Sequence, residues 1–127
     1  MANGLKDVSP EVMLDMINKT RRWNDQPEIQ SLEQRDPRAV AKLARSEQCE
    51  IKAFCLCGVP RNVIASIFDV TSLTVTRINN ATANKYPWVF IELNSFNTKR
   101  EFCTQYITEE NESRVRALHP SFRRPED

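Results

Sequence analysis

The sequence predicts a mainly α-helical fold, a tri-helical core with flanking helices and one short strand. Three observations predict it. Apolar residues recur three and four places apart along most of the chain, the period of one helix face. Ser-Pro and Asp-Pro pairs stand where helices should start. The chain has only two glycines, Gly4 and Gly58. That is too few for an all-β fold built on tight turns, or for a glycine-rich phosphate loop. A length of 127 residues suits one domain with tails and one modest core.

Taken in order, Ser9-Pro10-Glu11 reads as a helix start: cap, proline at the first helical position, acid in the first turn. Val12, Met13, Met16 and Ile17 then share one side, and the helix should fray near Arg21-Arg22-Trp23. Residues 24–37 read as a linker with a short helical turn. Together residues 1–36 form an N-terminal helix and linker. A second helical run is expected from Asp36-Pro37, carrying Val40, Leu43, Ala44, Ile51, Phe54 and Cys55, with a break near Ser46. It ends at Gly58, the left-handed residue expected after a helix, with Pro60 beyond. Two short helices follow, over 61–68 and 72–82, so that 37–83 make the tri-helical core. Residues 88–93, WVFIEL, read as the strand. Residues 98–118 read as a final helix, and 84–118 as a segment for oligomerisation. Residues 119–127 read as a loose tail.

Net charge is +1, but it is unevenly spread. Residues 1–57 balance to zero, residues 58–100 carry +3 and residues 101–127 carry −2. A surplus that small implies weak, salt-sensitive non-specific affinity for nucleic acid. No apolar run reaches membrane-spanning length, and no secretory signal opens the chain, so a cytoplasmic protein with reduced thiols is expected and no membrane partner. Cys55 and Cys57, two apart on a helix, point about 200° from each other and are unsuited to sharing a metal ion. They read as structural thiols, and no cofactor is expected. His119 has no nucleophile beside it in any motif, and no residue pattern supports an enzyme. Glu109, Glu110 and Glu112 read as a solvated helix face.

Residues 61–80 run RNVIASIFDVTSLTVTRINN. Two helices crossing steeply through a short turn impose particular residues. Ala65 supplies the small side chain at the crossing. Ile64 and Phe68 supply the inner face, and Val70 an apolar residue beneath the turn. Thr71 or Ser72 can cap the second helix, and Val75 and Ile78 face inward from it. In this register the segment resembles the helix-turn-helix family of bacterial and phage transcription regulators. The departure is Asp69, where the family usually has glycine. Aspartate tolerates the left-handed backbone better than most residues. Residues 52–93 are also similar, in the order of their elements, to the D subunit of the flagellar master regulators.

The resemblance implies sequence-specific binding of double-stranded DNA, with the second helix in the major groove. Its DNA-binding set is Arg61, Thr71, Ser72, Thr74, Thr76, Arg77 and Asn80. Arg77 suits a guanine edge and Asn80 an adenine. The threonines suit phosphate oxygens or a thymine methyl, and Arg61 the backbone. Ser72, Leu73, Thr74, Thr76, Arg77 and Asn80 are expected to face outward. The implied partner is a second copy, or a second regulatory protein, because one recognition helix reads few base pairs. The rival reading is a helical protein-interaction subunit that does not itself read DNA.

Overall fold

In a computed structural model, residues 9–38 and 42–124 are described. Among them the fold is mainly helical, with seven α-helices and no strand. These are α1 (Pro10–Trp23), α2 (Arg45–Leu56), α3 (Arg61–Phe68), α4 (Ser72–Asn79), α5 (Pro87–Asn94), α6 (Lys99–Tyr106) and α7 (Glu109–Leu118), with a 3-10 turn at Leu32–Gln34.

α1 begins as its sequence requires. The Ser9 side chain accepts from the Val12 amide, and Pro10 occupies the first turn. Met13, Met16, Ile17 and Thr20 are buried, but Val12, expected among them, is exposed. The linker is tied back to α1 by Asn18, which donates to Ile29 O at 3.0 Å and accepts from Ile29 N at 2.8 Å. Thr20 reaches across to α3, with its hydroxyl 3.3 Å from that of Ser66.

α3 is the centre of the molecule. Asn62 to Phe68 are all buried, and the helix packs against α1, α2, α4 and α7. α2 is the second hub and packs against α3, α4, α5 and α6. Its Ile51, Ala53 and Phe54 are fully buried. Gly58 follows α2 at φ 79°, where a Cβ would clash, and the Val59 amide closes back on Phe54 O at 3.1 Å.

Four expectations are corrected. The second helix does not start at Asp36-Pro37; it starts at Arg45, capped by Glu47, which accepts from the Ala44 amide. Val40 lies outside the described residues. Residues 88–93 are helical, as part of α5, rather than a strand. Pro87 pre-sets the first turn, and the apolar run has no alternation to hold it flat against a neighbour. Trp88 anchors α5 by donating from Nε1 to Gln48 Oε1 at 2.6 Å, beneath the Arg45 guanidinium 5.2 Å from its ring. The helix expected over 98–118 is two helices, because Ile107 is extended and Thr108 caps α7 in a reciprocal box with Asn111. Residues 119–124 are not loose. Phe122 is buried, its ring edge-on to Phe54 at 5.7 Å, and Arg124 reaches Glu112 at 2.7 Å and Ile107 O at 3.0 Å. Residues 125–127 of the expected tail lie outside the described residues.

Cys49, Cys55 and Cys103 are buried and Cys57 half-buried, all as free thiols. Burial pushes the Cys49 thiol up to about 11 and that of Cys55 up to about 12, so neither ionises near neutrality. No described helix is long and apolar enough to cross a membrane.

Candidate nucleic-acid interface

The turn between α3 and α4 is three residues, Asp69 to Thr71. Asp69 adopts φ 56°, ψ 49°, the left-handed conformation its position demands. The Val70 amide then closes on Ala65 O at 3.0 Å, and Val70 is fully buried beneath the turn. Ala65 is likewise fully buried.

Two arginines from the linker clasp this turn. Arg35 Nη2 donates to Ala65 O at 3.0 Å and to Val70 O at 2.6 Å, with its Nε 3.8 Å from the Asp69 carboxylate. Arg38 donates to Phe68 O from both Nε, at 3.2 Å, and Nη2, at 2.5 Å, and its backbone amide donates to Asp69 O at 2.7 Å. Arg38 is itself held by Glu47, at 3.0 Å. Burial pushes the Glu47 carboxyl up, but hydrogen bonds from Arg38 and the Ala44 amide outweigh it and hold the group below its ordinary range. The open carbonyls at the C-terminal end of α3 thus meet cationic donors, which the dipole there favours. Neither arginine could be found from the motif, since both lie more than twenty residues upstream with no sequence signal linking them to the turn.

α4 starts at Thr71, whose side chain accepts from the Thr74 amide at 3.1 Å. Of the two possible caps, Thr71 serves. The helix stops at Asn79, three residues short of the expected 82. Lys52 accounts for that end: its Nζ donates to Asn79 O at 2.7 Å and to Asn79 Oδ1 at 3.2 Å. Val75 and Ile78 are fully buried, the inward placement expected of them.

The outward set is narrower than expected. Thr74 is buried, with its hydroxyl 3.1 Å from that of Thr71, so it does not face out. Ser72 is half-buried and donates to Asn62. Thr76 is half-buried, donates back to Ser72 O at 3.1 Å and accepts from Arg61 Nη1 at 2.9 Å. Ser72 and Thr76 therefore stitch α4 to α3, and Arg61 spans the two helices. The exposed residues are Thr71, Leu73, Arg77 and Asn80. Leu73, Arg77 and Asn80 stand four and then three places apart, one stripe on the helix. Leu73, at its N-terminal end, is 55 % exposed.

No protein-family model, no curated protein and no solved structure matches the chain. Among the described residues, no three His, Cys, Asp or Glu side chains converge as a metal site requires.

Proposed function

We propose that the protein is a sequence-specific regulator of transcription that binds double-stranded DNA, with α2, α3 and α4 as a tri-helical helix-turn-helix core and α4 in the major groove. One observation carries this reading. α4 turns Val75 and Ile78 into the core while holding Leu73, Arg77 and Asn80 in an exposed stripe, behind a three-residue turn that opens on left-handed Asp69. In that arrangement Arg77 donates to a guanine edge, Asn80 pairs with an adenine, and Leu73 lies against a thymine methyl. Thr71 at the helix start meets a phosphate, and Arg61 extends the polar surface from α3. Thr74 is withdrawn from the contact set, and Ser72 and Thr76 become groups that position α4 on α3.

The test is a gel-shift titration on duplexes selected from random DNA, comparing the parent with Arg77→Ala and Asn80→Ala. Each variant is expected to weaken binding by about 1–3 kcal/mol, roughly fivefold to 150-fold, and to relax preference at one base position. Equal affinity and preference for all three proteins would overturn the reading.

A protein-interaction subunit is the second reading. It draws support from Leu73 and from the outer side of α5, where Phe90 is 39 % and Ile91 64 % exposed. Under the leading reading that α5 surface serves dimerisation. Under the second, no DNA is retained at moderate salt, and Leu73→Ser abolishes capture of a partner protein.

A further inference from the structure

Beside the exposed stripe of α4 lies a cleft of about 480 Å³, lined by Thr76, Arg77, Asn80, Thr82, Lys85 and Tyr86. Every one of these side chains carries a hydrogen-bond donor, two are cations, and none is a carboxylate. The contrast with the cleft between α2 and α7 is direct. There Glu47, Glu50, Asp69 and Glu110 face only Arg38 and Arg114, an environment that repels an anion.

The far wall of the donor-lined cleft is a built turn. Thr82 N donates to Lys85 O at 2.8 Å and Lys85 N returns to Thr82 O at 3.2 Å, closing the segment on itself. The Thr82 hydroxyl also accepts from the amides of Asn84, at 3.3 Å, and Lys85, at 3.2 Å. Tyr86 follows in the left-handed region, φ 55°, a strained position for a bulky residue. It packs edge-on against Trp88 at 6.4 Å, and Trp88 is itself pinned by Gln48. Lys85 is thus an exposed cation on a backbone fixed before any ligand arrives, across a cleft from Arg77.

We infer that this cleft seats a backbone phosphate of the DNA strand flanking the bases read by α4, with Lys85 as its cationic contact. The inference rests on the DNA-binding reading above and adds to it a contact that α4 does not supply. Thr82 and Tyr86 offer hydroxyl donors to the same phosphate, and Arg77 stays free to aim at a base. Such a contact fixes register on the duplex and carries no sequence information of its own.

The test is the salt dependence of binding, measured by fluorescence anisotropy on a selected duplex and on an unrelated duplex of equal length. Replacing Lys85 by alanine should lower the slope of log K against log salt by about 0.9, the value for one phosphate. That slope corresponds to a loss of about eightfold at 0.1 M salt relative to 1 M. The loss should be the same on both duplexes, and Lys85→Arg should restore the slope. Arg77→Ala should instead change the ratio between the duplexes. A parent-like slope for Lys85→Ala, with Arg77→Ala still impaired, overturns the phosphate seat and leaves the regulator reading intact. No binding by the parent to either duplex overturns both. Titration with inorganic phosphate gives the remaining arm. Saturable shifts of the Tyr86 signals at millimolar phosphate, with an unchanged DNA slope, would assign the cleft to a small anion and overturn the DNA contact.

Discussion

Ala65→Leu tests the packing on which the α3–α4 unit depends. Ala65 has no exposed surface, and its helix is enclosed by α1, α2, α4 and α7. Its carbonyl accepts from three donors, the amides of Asp69 and Val70 and the Arg35 guanidinium, the last two each at 3.0 Å. The backbone at this point therefore cannot retreat without breaking the turn. Leucine adds an isopropyl group to a side chain with no exposed surface, and overpacking of this kind costs about 1–3 kcal/mol. For a chain of this length that is a fall in melting temperature of about 4–12 °C. Ala65→Gly provides the opposite control. It removes one buried methyl, about 0.8 kcal/mol, and adds the glycine penalty of a helix interior, about 1 kcal/mol. Both variants should melt below the parent by circular dichroism, because alanine sits between too large and too small. A leucine variant melting with the parent would mean that the space beside Ala65 is open. The close approach of the helices would then not be the reason α4 presents its outer stripe.

Two further outcomes follow from the packing and the charges. Phe122→Ala should destabilise by about 3–5 kcal/mol in urea titrations, as expected when an enclosed ring is removed; an unchanged midpoint would return residues 119–124 to a loose tail. Glu47 and Glu112 both titrate below the ordinary 4.5 in the folded chain. In each case burial pushes the carboxyl up and is outweighed, by Arg38 and the Ala44 amide for Glu47, and by Arg116 and Arg124 for Glu112. Their contribution is complete above the unfolded value and is lost as pH falls through the folded values. Melting temperature should therefore drop below about pH 4.5, and the drop should be shallower in Glu47→Gln; identical profiles for variant and parent would remove Arg38–Glu47 from the account of the turn.

The sequence by itself determined the local punctuation of this protein. Ser9-Pro10, Gly58, Asp69 and Thr71 act through their own backbone or a neighbour within a few residues, so their effect is readable in one dimension. The same is true of the inward pair Val75 and Ile78, set by helical period alone. Thr108 also acts locally, as the cap of α7, but the apolar spacing on either side of it reads as one continuous helix. Tertiary structure decided the rest. WVFIEL carries no period that separates helix from strand, and its helical state accompanies anchoring of Trp88 on Gln48, forty residues away. Thr74 is inward because Thr71 takes its hydroxyl, and the polarity of threonine gives no sign of that. The grip of Arg35 and Arg38 on the turn spans about thirty residues, and Phe122 meets Phe54 across more than half the chain. Long-range partners are chosen by which surfaces remain uncovered after the helices pack, and that choice exists only in three dimensions.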